Sequence, residues 1–284
     1  MVPWEARARL LQSESQKFLR YLSDLPDNSW SRQSACDLWR VEDVVSHLIG
    51  NAEFYASTVE RGLKGDNHPP EGRPTAGTGH PSSGASSVAQ GAIANRERLS
   101  GHLLEILEDQ SNHLVQLLVK LSPEDRVLPC YHPGSLVPAG NFVDLRFKEL
   151  ALHQWDIRST LEPGTGLVSD SLPSMVVLMN ESLASGSIRW AFWPGPAIEQ
   201  PVQYRFDVSE PFPFRGDIVV GGDRFHFEQS SVGDADFNFS CDTETLALMM
   251  SGRLETSCAI SNGSPEMEGD GNLAEKFSQW FKGI

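Results

Sequence analysis

The sequence predicts a helical bundle followed by a small α+β domain, an α plus α+β chain, and three observations carry that prediction. Apolar residues recur at helical spacing in four long segments before Gly164. Beyond Pro194-Gly195-Pro196 the texture changes to short alternating or apolar runs bounded by turns, the pattern of strands. The 284 residues also suffice for two domains of ordinary size, expected at 1–193 and 194–284.

In Trp4 to Leu22, residues Leu11, Phe18, Leu19 and Leu22 fall at three-, four- and seven-residue steps and share one helical face. Asp24 to Ser34, rich in Pro, Asp, Asn and Ser, breaks that helix. A second runs from Val41 to Val59 through Val44, Val45, Leu48, Phe54 and Tyr55, with Glu42 and Asp43 suited to the positive end of its dipole. Gly62 to Ser87 is dominated by Gly, Pro, Ser and Thr and reads as a long surface loop. Val88 to Leu121 reads as one long third helix, stopped at Ser122-Pro123, and Phe142 to Leu161 as a fourth, ended by Glu162-Pro163-Gly164. These connections suit an antiparallel bundle. A fifth helix is expected near Leu172 to Leu183. Strands are expected at Val202 to Val208, Asp217 to Val220, Arg224 to Glu228, Phe237 to Cys241 and Ser257 to Ile260, with helices at Thr243 to Met250 and Leu273 to Phe281.

Composition excludes several functions. Lys and Arg total 23 against 38 Asp and Glu, a net charge of −15, the wrong sign for binding by phosphate neutralisation. Neither nucleic acid nor a membrane is expected as a partner. No stretch reaches the roughly 18 apolar residues of a membrane span, and no signal-type apolar block follows Met1 to Arg9, so the chain reads as cytoplasmic. Cys36, Cys130, Cys241 and Cys258 lie far apart with no C-x-x-C pair and read as free thiols. No glycine-rich phosphate loop and no Gly-x-Ser-x-Gly elbow is present.

The chemistry-bearing segment is Lys148 to Asp156. Glu149 and His153 stand at i and i+4 on the fourth helix and so share a face. Asp156, three residues on, is placed to accept the second N–H of the imidazole and fix its tautomer. His47 lies among the apolar Val44, Val45, Leu48 and Ile49, where a buried imidazole needs a partner. Each residue alone has an ordinary reading: a solvated Glu–His pair, or a core histidine bonded to backbone. Together they form a His2Glu donor set with a fourth position open, as in catalytic zinc sites. His68 and His80 fall in the loop, His132 in a Pro-rich turn, His226 in a strand, and His102 and His113 on a charged helix face.

The run Trp39-Arg40-Val41-Glu42-Asp43-Val44-Val45-Ser46-His47-Leu48, followed by Glu149-x-x-x-His153-x-Trp155-Asp156, resembles the mycothiol-dependent maleylpyruvate isomerase family, part of the DinB-like superfamily of metal-binding four-helix bundles. Downstream, Cys241 to Leu246, Ser251-Gly252-Arg253-Leu254 and Glu268-Gly269-Asp270 resemble the sterol-carrier-like C-terminal domain of many members. The resemblance covers about residues 5–165 and 200–282. It implies that His47, Glu149 and His153 bind a divalent metal, usually zinc, and that an arginine of the second domain, for which Arg253 is the candidate, helps to build the active site. It also implies a low-molecular-weight thiol, mycothiol or another, as cosubstrate, and a small electrophile as substrate. Arg158 and Arg189 are further candidates for binding a substrate carboxylate. The competing functions are a binding protein whose sterol-carrier-like domain holds an apolar ligand, and a metal-dependent hydrolase.

Overall fold

A computed structural model describes residues 3–78, 81–99, 101–176, 192–229, 233–254 and 266–282. Residues 177–183 of the expected fifth helix, the expected strand at 257–260, His80, Arg189 and Cys258 lie outside the described residues. The chain forms two compact units, Met1–Ser174 and Met175–Ile284.

The first unit is helical. α1 (Trp4–Ser23), α2 (Val41–Leu63), α4 (Leu103–Val119) and α5 (Phe142–Leu161) make the bundle, α2 packing on α4 and α5, and α1 on the same two helices. Leu11, Leu22, Val44, Val45, Leu48, Leu114, Leu118 and Ile157 are wholly buried at its centre. Burial of each such side chain contributes about 1.5–3 kcal/mol before chain entropy is charged against it. α2 starts sharply because Asp43 Oδ2 accepts the Arg40 backbone N–H at 2.9 Å, satisfying a donor that the helix leaves free.

Three expectations are corrected here. The single helix foreseen over 88–121 is two helices, α3 (Pro81–Arg98) and α4, separated at Gly101, whose φ of +85° is a left-handed conformation that suits glycine. α3 also begins inside the segment read as loop. It packs on α2 largely through polar contacts, Arg96 bridging Glu42 Oε1 at 2.9 Å and Asp43 Oδ1 at 3.3 Å, so its sequence lacks an apolar stripe. The stretch around His132, read as a turn, is an antiparallel hairpin of β1 (Pro129–His132) and β2 (Ser135–Pro138). The preceding 64–78 loop lies on that hairpin, Tyr131 Oη donating to the Pro74 carbonyl at 2.7 Å and Gly77 N–H to the Pro133 carbonyl at 2.9 Å.

The second unit holds a five-stranded sheet in the order β5-β4-β3-β6-β7. Its strands are β3 (Val202–Val208), β4 (Phe214–Val220), β5 (Phe225–Gln229), β6 (Phe237–Cys241) and β7 (Glu266–Gly269). Only β3 and β6 pair in parallel; the other neighbours are antiparallel. α6 (Thr243–Met250) and α7 (Gly271–Trp280) are capped by Asp242 and Asp270, each of which accepts a backbone N–H of the first turn. The core is aromatic: Phe206, Phe239, Phe277 and Phe281 follow one another at centroid separations of 4.9, 5.1 and 4.5 Å.

On β3, Arg205 directs two donors, Nε and Nη2, to the two oxygens of Asp217 at 2.9 Å each, and Asp217 is completely buried. Breaking a buried pair from one side leaves a desolvated charge. Arg205→Met is therefore expected to lower the unfolding free energy by about 3–5 kcal/mol in urea titration. Removing Asp207 from its exposed pair with Arg215 at 3.5 Å is expected to change it by less than about 1 kcal/mol.

Candidate metal centre

The half of α2 next to its capped N-terminus and the middle of α5 face each other inside the first unit, and three donor atoms meet between them. His47 Nε2 lies 3.1 Å from Glu149 Oε2, and His153 Nε2 lies 3.5 Å from the same oxygen. Donors held at about 2.0–2.1 Å from a tetrahedral ion stand about 3.3–3.4 Å apart, so the observed spacing fits a divalent cation held by two imidazoles and a carboxylate. The His47 and Glu149 side chains are each 15% exposed, so the set is enclosed yet reachable from one edge.

Asp156 Oδ2 accepts the Nδ1–H of His153 at 2.8 Å. This hydrogen bond turns the Nε2 lone pair of His153 toward His47 and Glu149. The same carboxylate oxygen accepts the Cys36 thiol at 3.1 Å, and the Asp156 carbonyl accepts the Ala35 N–H at 2.8 Å, so the 33–40 segment is fastened to α5. Trp39, at the end of that segment, stacks on His47 with ring centroids 4.9 Å apart and tilts against His153 at 5.8 Å. Cys36, His153 and Asp156 form a second close donor group. It lies on the Nδ1 side of His153, and the His153–Asp156 separation there is that of a hydrogen bond.

Burial dominates the electrostatics. It pushes the His47 imidazole below its ordinary pKa, although the bond to Glu149 works the other way. Burial also opposes charge on His153, but hydrogen bonds to Asp156, Cys36 and Glu149 outweigh it and hold this imidazole well above the usual range. For Glu149, burial opposes ionisation and the bonds to His153 and His47 overcome it, keeping the carboxyl well below the usual range. The centre is a buried carboxylate whose countercharge comes from His153, while His47 is held towards its neutral form.

Three neighbours were not singled out as site residues from the sequence. Arg146 is fully buried and donates from Nη1 to the Leu48 carbonyl at 3.1 Å and Asn51 Oδ1 at 2.7 Å, and from Nη2 to Ser111 Oγ at 3.2 Å, tying α5 to α2 and α4. Burial brings its pKa down to about 10, and the Glu149 charge resists that fall. Tyr55, two turns beyond His47 on α2, is raised by burial and by Glu149. His132 accepts the Gly134 N–H on Nδ1 at 3.2 Å, so its proton sits on Nε2. A charged residue amid Leu145 and Phe147 was the available signal for Arg146; the hairpin that brings His132 inward left no comparable signal.

The other sequence candidates stand as follows. Arg158 pairs with Glu162 Oε2 at 3.0 Å and lies over the Tyr21 ring. Arg253, in the second unit, follows Gly252, whose φ of +69° ends α6, and donates from Nη1 to the Ser251 carbonyl at 2.8 Å. His68, His102, His113 and His226 are exposed and pair with Asp66, Glu105, Glu60 and Glu228.

Comparison with known proteins adds an independent finding. Residues 11–158 match the family model of the mycothiol maleylpyruvate isomerase N-terminal domain, and residues 201–282 match the SCP-2 sterol transfer family. No curated protein matches the chain. The crystal structure of the mycothiol-dependent maleylpyruvate isomerase superposes with a TM-score of 0.60 at 16% identity, covering 89% of this chain and 90% of that one. A mutant of that isomerase gives 0.59 over the same coverage. At that identity the likeness establishes the two-part fold. No described helix is long and apolar enough to cross a membrane.

His132 gives this unit a pH signature. Burial first, then the Lys148 charge, lower its pKa from 6.5 to about 4. The unfolded chain therefore binds a proton between those values that the folded chain refuses, so stability falls as pH drops from 6.5 towards 4. The loss contributed by this group is about 2–3 kcal/mol. In His132→Gln, denaturation midpoints measured across that window are expected to decline less steeply than in the wild type; parallel curves would show that His132 does not carry the effect.

Proposed function

The chain belongs to the mycothiol maleylpyruvate isomerase N-terminal domain family, whose model matches just over half of it, and from that premise we propose a metal- and thiol-dependent isomerase or S-transferase acting on a small electrophile. The observation that carries this reading is the convergence of His47 Nε2, Glu149 Oε2 and His153 Nε2 at spacings that suit one divalent cation, zinc being the natural choice for an N2O set with a fourth position open. A divalent ion held by His47, Glu149 and His153 would supply positive charge that favours the ionised form of a thiol near neutral pH.

The chain's own residues supply order and exclusion. Asp156 fixes the His153 tautomer, and Cys36 and Ala35 hold Asp156 and its segment in place. The Trp39 ring covers both imidazoles and keeps water from that side. Attack by the thiol sulfur, its proton lost, on a conjugated double bond forms a C–S bond as the π pair moves onto the adjoining carbonyl. If the adduct then turns about the former double bond and the pair returns to expel the same thiolate, the result is cis–trans isomerisation; if the adduct instead takes up a proton on carbon, the bond persists and the result is S-transfer. Arg253 and Arg158 remain the proposed partners for a substrate carboxylate, and mycothiol is the first thiol to try.

The match of residues 201–282 to the SCP-2 sterol transfer family favours a second reading, apolar-ligand binding with a purely structural bundle. Metal stoichiometry and thiol-dependent turnover separate the two. His47→Ala, Glu149→Ala and His153→Ala are each expected to abolish both bound metal and turnover, with the fold retained by circular dichroism. Asp156→Asn is expected to weaken metal affinity by about 10–100-fold in chelator competition. Metal content and thiol-dependent turnover that survive all three alanine variants would end the enzyme proposal, and turnover that needs no thiol would favour metal-dependent hydrolysis.

A further inference from the structure

α2 is a core helix with one partly open stripe. His47, Gly50, Asn51 and Phe54 are half-buried, whereas Leu48, Ile49, Ala52, Tyr55 and Ala56 around them are buried. Seven residues are two turns less about 20°, so Phe54 lies almost directly along the helix from His47, about 10 Å away. The stripe thus runs from the proposed metal centre at one end to the Phe54 ring at the other, and it has room between them, since a Cβ at Gly50 would meet nothing within 4 Å.

What stands at the Phe54 end is a cation. The Arg73 guanidinium lies over the Phe54 ring, 5.3 Å from its centroid, and the Tyr131 ring meets the same phenyl edge-on at 6.2 Å. Arg73 belongs to the 64–78 loop, which is fixed on both sides of it by the Arg61–Asp66 pair and by the Tyr131 Oη to Pro74 carbonyl bond. Its position is therefore set before any ligand arrives, which lowers the entropy lost on binding. Arg73 is exposed and forms no ion pair among the described residues, in a chain with 38 acidic side chains against 23 basic ones. A fork of N–H donors held over an aromatic face is well suited to carboxylate.

We infer that Arg73 is an anion-recognition residue at the far end of this stripe, taking a carboxylate carried roughly two helical turns from the proposed metal centre. The inference rests on the thiol chemistry proposed above and deepens it. The carboxylate sits beyond the reach of a substrate whose charged groups adjoin the reacting carbon, so the ligand is either an elongated acidic electrophile or a thiol with an acidic tail. Arg73 touches neither the metal donors nor the reacting atoms; it selects.

The test uses the full-length chain loaded with cobalt, whose visible spectrum reports a thiol entering the open position. One arm titrates mercaptooctanoate against mercaptooctanol. The other keeps mercaptoethanol in excess and compares KM for acryloyl-aminohexanoate with that for N-hexylacrylamide. The acid is expected to be preferred by about tenfold in one arm, the thiol pair if the anion belongs to the thiol and the acrylamide pair if it belongs to the electrophile. That preference should vanish in Arg73→Ala, return in part in Arg73→Lys, and leave cobalt affinity and the neutral ligand of each pair unchanged. Acid-to-neutral ratios that are the same in wild type and Arg73→Ala in both arms would overturn the inference while leaving the thiol chemistry intact. A cobalt spectrum that responds to neither thiol would overturn the thiol chemistry and this inference with it.

Discussion

Much of the first unit is organised by one constraint: Glu149 carries a charge inside a helical bundle and must be satisfied there. An isolated carboxylate in such a place would either take up a proton or unfold its surroundings. Here its Oε2 is shared by imidazoles from two helices, His47 at 3.1 Å and His153 at 3.5 Å, so α2 and α5 are joined through one oxygen atom. This is a demanding arrangement in an all-protein site, because two imidazoles and a carboxylate present four ring nitrogens and two oxygens that all need partners. Asp156 answers part of that need on Nδ1 of His153, while the fully buried Arg146 holds the helices around the cluster together by bonding the Leu48 carbonyl just beyond His47. A cation in the middle would satisfy the three facing donors at once, which is the physical reason for reading the cluster as a metal centre and not as an ordinary buried ion pair.

The segment between α1 and α2 shows how a loop without regular structure becomes part of such a centre. Gln33 Nε2 and Ser34 Oγ both donate to the Trp39 carbonyl, at 2.8 and 2.7 Å, closing the loop on itself. The closed loop then delivers Cys36 to Asp156 and Trp39 to the two imidazoles. The loop is specified by small polar residues bonding to backbone, and its consequence is a dry aromatic wall on one side of the donors.

The sequence made the helices legible because their apolar spacing is regular, and it made the donor set legible because Glu149 and His153 stand one turn apart on a helix that could be recognised. What it concealed follows from contacts that leave no periodic trace. α3 binds α2 through Arg96, Ser46 and Asn95, with Ser46 Oγ donating to the Ala92 carbonyl at 2.8 Å, so its Ser- and Gly-rich sequence carries no hydrophobic face to detect. Gly101 splits a run that otherwise keeps helical spacing across the break. The β1–β2 hairpin is only four residues on each side, too short for alternation to stand out from its Pro and Gly neighbours. In the second unit the strands were legible from alternation on β3, where Tyr204 and Phe206 face the aromatic core while Arg205 turns to Asp217. The caps at Asp242 and Asp270 explain why the short motifs around them are recognisable: each marks the point where a strand must give way to a helix.

The two family signals in the chain need not describe one shared activity. The bundle carries three donor atoms at separations that suit a cation, and the chemistry proposed for it rests on those few atoms. The interior described for the second unit is a close-packed array of rings, with Phe206, Phe239, Phe277 and Phe281 successively in contact and Phe192 and Phe225 adjoining Phe281 at 5.4 and 5.6 Å. To admit an apolar ligand between those rings the domain would have to give up contacts each worth about 0.5–1.5 kcal/mol beyond area burial. A lipid that binds elsewhere on the domain escapes that cost, but one that enters this core does not. On the proposed reading the chemistry belongs to the bundle and the C-terminal core is a stable body in its own right, so substrate selection is sought first among polar groups such as Arg73 over the open stripe of α2.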